Sequence, residues 1–140
     1  MSGWVVVWAI TDDGGKRSLE HPERWWLMVR HLTRGWELPG GSLLPGEEVE
    51  LGALRELQEE TGISGEIIGS SCNLLPDGWV VAINCQRDGK INSWPSNDDS
   101  IIESKWMNTT PELMHWGTDE LNKISNFDFA GPPVIEGEHN

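Results

Sequence analysis

The sequence predicts an α/β (α+β) sandwich, and three observations carry that expectation. Short runs of β-branched and aromatic residues lie both before and after one strongly patterned helix. No internal repeat, low-complexity block or long linker divides the chain. Its 140 residues suit one domain, which buries about two thirds of its unfolded surface and needs no staples.

Trp4 to Ile10 (WVVVWAI) reads as a buried strand that ends in the turn Thr11 to Gly15. Trp25 to Val29 (WWLMV) reads as a second one, followed by loop chemistry from Gly35 to Gly41. A helical pattern runs from about Glu47 to Thr61, with Gly62 as its C-terminal cap. Further strands are expected at Ile67-Ile68, Trp79 to Ile83 and Ile101 to Met107, and a short helix from Pro111 to His115. Trp94 to Ser100 has the composition of a surface loop. Residues 131–140 form a loosely held tail, which leaves a single domain over 1–130.

Ten basic and 23 acidic residues give a net charge of −13 and a pI near 4.5. Such a chain does not adhere to nucleic acid or anionic lipid through a basic patch. The longest apolar run, Trp4 to Ile10, is far short of the roughly 20 residues of a membrane span. Without a basic segment ahead of that run or a cleavage site after it, no export signal is expected. Cys72 and Cys85 then read as reduced thiols in a cytoplasmic protein.

The helix carries the first sign of chemistry. At about 100° per residue, Glu56, Glu59 and Glu60 share one face, while Ala53, Leu54 and Leu57 point away from it. Three carboxylates in adjacent turns repel one another, with only Arg55 near enough to compensate. A hard divalent ion such as Mg²⁺ would relieve that repulsion and keep water for a phosphate group to replace. Taken alone, the helix is as readily a solvated acidic face.

The surrounding spacing goes further. From Gly41 the chain reads Gly41, five residues, Glu47, seven residues, then Arg55, Glu56, Leu57, Gln58, Glu59, Glu60, Thr61, Gly62 and Ile63. This resembles at every fixed position the Nudix box, GX5EX7REUXEEXGU with U aliphatic, of the Nudix (MutT-like) hydrolases. By average residue usage it would arise by chance on the order of 10⁻⁹ per starting position. A weaker likeness extends from about Trp4 to Leu121.

The resemblance implies a Nudix-like α/β/α sandwich with a central mixed sheet and the box as loop-helix-loop. It also implies a pyrophosphohydrolase dependent on Mg²⁺ or Mn²⁺. Such an enzyme cleaves a diphosphate bond in a nucleoside triphosphate, nucleotide sugar or dinucleoside polyphosphate by attack of water activated at the metal. By the same resemblance Gly40 (through its carbonyl), Glu56, Glu59 and Glu60 are metal ligands. Glu56, Glu60 and Arg55 are the catalytic residues, with Glu56 a ligand or the base that deprotonates the attacking water and Arg55 orienting the neighbouring carboxylates, and Glu47 lies near the metal shell. The alternative is a nucleotide-sensing module without turnover; such modules usually lose box glutamates, and here all are present.

Outside the box, Asp98, Asp99 and Glu103 are candidates for one more acidic ligand or base. Arg30 is a candidate for a substrate phosphate, and Trp25, Trp36 or Trp79 for base stacking, with core packing as the alternative for each indole. The expected partner is a nucleotide-type small molecule, with no nucleic acid and no membrane, in a chain that could act as a homodimer.

Overall fold

The computed structural model describes residues 3–76, 78–112 and 117–131. Its core is an eight-stranded mixed sheet of β1 (Trp4–Ile10), β2 (Trp26–His31), β3 (Gly35–Glu37), β4 (Gly40–Ser42), β5 (Glu66–Leu75), β6 (Gly78–Asn84), β7 (Ser93–Pro95) and β8 (Ile101–Met107). Helix α1 (Val49–Thr61) lies on one face and α2 (Thr118–Ser125) on the other.

The spatial order is β5-β6-β1-β2-β8-β7, with β3 on β2 and β4 on β1. β1 runs parallel to β6 through seven register pairs from Trp4↔Gly78 to Ile10↔Asn84. Its side chains alternate between two cores, as a strand buried on both sides requires. Val5, Val7 and Ala9 meet Ala53 and Leu57 of α1, while Val6, Trp8 and Ile10 belong to the cluster that holds Leu121 and Ile124 of α2. This double burial explains why β1 is continuously apolar.

The segment read as a loop is a wedge. From the turn at Leu38 and Pro39, β3 pairs outward with β2 (Val29↔Glu37, Arg30↔Trp36) and β4 outward with β1 (Val5↔Gly41, Val6↔Gly40). The Val7 N–H closes the apex on the Pro39 carbonyl at 2.8 Å. Two strands of three residues are too short to leave a period in the sequence.

Other differences have similar causes. β5 is ten residues long rather than the two apolar ones, because it is a sheet edge with half-buried and exposed positions. β7 overlaps the start of the expected surface loop, at Trp94 and Pro95. Pro111 and Glu112 are not helical, and 113–115 lie outside the described residues. The second helix starts instead at Thr118, carried by Leu121 and Ile124. The expected tail, from residue 132, also lies outside the described residues. Arg24 is fully buried, with its Nε 3.1 Å from Asp12 Oδ2 and its other nitrogens donating to the Gly15 and Ser125 carbonyls at 2.9 and 3.3 Å. It ties the end of α2 to the β1–β2 connection, and paired this way a buried charge is tolerable. Among the described residues no helix is long and apolar enough to cross a membrane.

Candidate active site

α1 brings its carboxylates to the wedge. Gly62 ends the helix in the left-handed region (φ 76°) and donates to the Gln58 carbonyl at 2.9 Å, so the last turn is complete and Glu59 and Glu60 have fixed places. The Gly40 N–H donates to Glu60 Oε1 at 2.9 Å. A Cβ on Gly41 would lie 2.7 Å from Glu56 Oε2, so Glu56 rests against that glycine's α-carbon. Wedge and helix therefore meet through the Gly40 hydrogen bond, the close approach at Gly41 and a bond from Arg55 Nη2 to the Ser42 carbonyl at 3.2 Å.

The electrostatics are unusual for an acidic helix face. Glu60 is only 8% exposed, and burial pushes its carboxyl up to about 8. The Gly40 N–H opposes that shift, whereas the nearby charges of Glu56, Asp98 and Glu37 add to it. Glu56 is also raised by burial, with Arg55 pulling the other way. Arg55 works as a fork: Nε and Nη2 donate to the two oxygens of Glu47 at 2.8 and 2.9 Å. Its Nη1 donates to Glu56 at 3.0 Å and to Glu59 at 2.9 Å. Those bonds hold the Glu47 carboxyl down to about 2 and the guanidinium above its usual range.

A third element reaches the end of α1 from the far edge of the sheet. Trp94 Nε1 donates to the Thr61 carbonyl at 2.7 Å, and Ser96 Oγ to the Glu60 carbonyl at 2.6 Å. Ser104 Oγ lies 3.4 Å from the same Glu60 oxygen. Asp98 follows in the loop. Its Oδ1 accepts from the Ser100 N–H at 2.9 Å and the Ser100 hydroxyl at 2.6 Å, which lowers its carboxyl.

A NUDIX domain model matches residues 3–120. The chain belongs to the Nudix (MutT-like) hydrolase family. A MutT-like protein of Streptomyces ambofaciens is 31% identical over 122 residues, 81% of this chain and 76% of that protein. The ADP-ribose pyrophosphatase of Saccharomyces cerevisiae is 49% identical over 93 residues, 63% of this chain and 40% of that protein. The chain spans less than half the length of several curated relatives that it matches. In fold it is similar to a Nudix hydrolase from Nitrosomonas europaea, at TM-score 0.58 and 18% identity over 87% of this chain and 69% of that one.

The Nudix box thus occupies the wedge and α1, but its glutamates are not equivalent. Glu59, with a side chain 57% exposed, turns outward onto Arg55, while Glu56 and Glu60 turn inward. Among the described residues no group of three or more His, Cys, Asp or Glu side chains stands ready as a metal cage. The donor set nevertheless suits a hard cation. It consists of carboxylate oxygens, and Glu60 is buried within the field of the Glu56, Asp98 and Glu37 charges with one main-chain N–H to offset them. Glu56 and Glu60 are the pair that could take such an ion, with Glu59 joining if it leaves Arg55.

The flanking candidates separate by sheet face. Arg30 and Glu103 are cross-strand partners 3.7 Å apart, and Trp36 is Arg30's partner on the other side. Trp36 packs on the α2 face, opposite Glu56 and Glu60, so this row is not in the carboxylate cluster. Trp79 packs on the α1 face, and so does Trp25, over which the Arg87 guanidinium sits at 3.8 Å. No two of Trp36, Trp79 and Trp25 form one stacking platform with Arg30. Asp99 is exposed, and of the three downstream acids only Asp98 lies within the electrostatic reach of Glu56 and Glu60. The sequence missed Ser96, Trp94 and Ser104, because a hydroxyl or indole that caps a distant helix leaves no local pattern.

Proposed function

We propose that this Nudix domain is a divalent-metal-dependent pyrophosphohydrolase that cleaves the diphosphate bridge of a nucleoside diphosphate derivative. The observation that carries the reading is the pair of half-buried Glu56 and buried Glu60, raised toward protonation beside Asp98 and held against the Gly40–Gly41 turn. Burying like charges is costly without a counter-charge, and perturbed carboxylates in such a setting are functional candidates.

Glu56, Glu59, Glu60 and the Gly40 carbonyl would hold Mg²⁺ or Mn²⁺. The ion would supply charge to offset the phosphate oxygens and would make water more acidic. The chain's own residues do the rest. Arg55 fixes the carboxylates of Glu47, Glu56 and Glu59, and Glu56 or Glu60 accepts the proton of the attacking water. The water oxygen forms a new P–O bond while the bridging P–O bond breaks, and the leaving phosphate keeps the electron pair.

The likeness to the yeast ADP-ribose pyrophosphatase supports a diphosphate linkage as the reacting group. The test is a panel of nucleoside triphosphates, nucleotide sugars and dinucleoside polyphosphates, assayed for released monophosphate or pyrophosphate with Mg²⁺, with Mn²⁺ and in excess chelator. Turnover of at least one diphosphate derivative, lost in chelator, is expected. No turnover with any of them would favour a nucleotide-sensing module, and turnover that survives the chelator would overturn the metal dependence.

A further inference from the structure

We propose that Ser96 and Trp94 are positioning residues for this site: they dock β7 and the following loop onto the last turn of α1, and so hold Asp98 beside Glu56 and Glu60 as a further carboxylate. This rests on the hydrolase reading above and adds the residues that complete its site.

The last carbonyls of a helix lack partners within it. Here Gly62 satisfies Gln58, and the carbonyls of Glu60 and Thr61 are satisfied from β7, by Ser96 Oγ at 2.6 Å and Trp94 Nε1 at 2.7 Å. β7 is three residues long, lies at the edge of the sheet and pairs only with β8, so its backbone ladder alone holds it weakly. The two side-chain bonds join it to the end of the helix, and the Trp94 ring also packs on the core under α1.

Ser96 does more than cap. The same hydroxyl that donates to the Glu60 carbonyl accepts the Asp98 N–H at 3.0 Å. One oxygen therefore fixes both the residue bearing the buried carboxylate and the residue bearing the loop carboxylate. The loop is braced on its other side, since the Ile101 N–H donates to the Asp98 carbonyl and the Leu32 N–H to the Ser100 carbonyl, each at 3.0 Å. Within this frame Asp98 Oδ1 is engaged by Ser100, while Oδ2 has no hydrogen-bond partner among the described residues. The Asp98 charge acts on both Glu56 and Glu60. A simple cap would need the donors but not the second bond to Asp98.

The experiment compares the full chain with Ser96→Ala, Ser96→Thr, Trp94→Phe, Asp98→Asn and the Ser96→Ala/Asp98→Asn double variant. Three readouts apply: kcat and KM for the substrate found by the panel, binding of Mn²⁺ alone by electron paramagnetic resonance, and Tm. Ser96→Ala should lower kcat about 10-fold with KM changed less than about 2-fold, and Ser96→Thr should restore most of the loss. In the Asp98→Asn background, Ser96→Ala should add almost nothing, because both act through one carboxylate. Wild-type kcat in Ser96→Ala, or losses that multiply in the double variant, would overturn the proposal.

If the wild-type chain turns over nothing, the hydrolase reading fails and Mn²⁺ binding decides this inference separately. Affinity weakened by Ser96→Ala and Asp98→Asn, with no further loss in the double variant, supports it; unchanged affinity overturns it. If Ser96→Ala does not fold, Trp94→Phe takes its place, since it removes one donor and keeps an aromatic ring at the position. A few-fold loss that disappears in the Asp98→Asn background is then expected, and an unchanged Trp94→Phe overturns the proposal.

Discussion

The Gly40 N–H donates to Glu60 Oε1 at 2.9 Å, joining the wedge to the last turn of α1 across twenty residues of chain. The next residue, Gly41, leaves only a hydrogen where a Cβ would meet all three carboxylate atoms of Glu56 at 2.7–2.8 Å. The glycine pair is therefore a seat for two carboxylates.

Gly41→Ala tests the seat. The obstructing atoms are the free end of a flexible side chain, so Glu56 can swing away at little cost to the fold. kcat is expected to fall about 10-fold or more, with Tm nearly unchanged. A large drop in Tm with normal turnover of the surviving protein would show that Gly41 serves the backbone instead.

Arg55→Lys tests the fork. An ammonium cannot reproduce two bonds to Glu47 together with bonds to Glu56 and Glu59. The charge is kept and the geometry is lost, so kcat should fall about 10-fold or more while KM for nucleotide changes little. These pairs are partly exposed, so Tm should change only modestly. Wild-type turnover in Arg55→Lys would show that charge alone suffices.

Glu60 gives the chain a pH signature in chelator. Its folded-state value, about 8, lies above the ordinary 4.5, so between those values the folded protein binds the extra proton. Its contribution to stability is complete below about pH 4.5 and is lost as pH rises through about 8, an effect of order a few kcal/mol. Tm in chelator should therefore fall from pH 5.5 to 8.5, and Glu60→Gln should flatten that fall. Mg²⁺ should raise Tm most at the alkaline end, by ligand linkage. Identical pH profiles for wild type and Glu60→Gln would contradict the burial argument.

The sequence made β1, β8 and α1 legible because each has a strong period or a strong stop. β8 has the expected bounds, and α1 starts two residues inside the expectation and ends at the expected Gly62 cap. It made the box legible through fixed spacing. It did not separate Glu59 from Glu60, because a helical wheel places both on one face, and which is buried depends on the wedge and β7 packed against that face. Arg30 and Glu103 carried plausible roles one at a time. Only the strand register makes them partners of each other on the opposite face of the sheet.

Trp36 and Trp79 pack on opposite faces of the sheet, Trp36 against the core beside α2 and Trp79 against the core under α1. Trp36→Leu and Trp79→Leu should each lower Tm more than they change KM. A KM raised about 10-fold by either, with Tm unchanged, would make that indole a base-stacking surface instead.

In the proposed reaction water attacks a phosphorus of the diphosphate bridge directly, with Glu56 and Glu60 as ligand and base and never as nucleophile. A single turnover in ¹⁸O-labelled water, with enzyme in excess over the diphosphate substrate and Mg²⁺ present, tests it most directly. One ¹⁸O in a product phosphate from the first turnover, and no label in any enzyme carboxylate, is the expected result. Unlabelled first-turnover phosphate, with the label found later in Glu56 or Glu60, would contradict it.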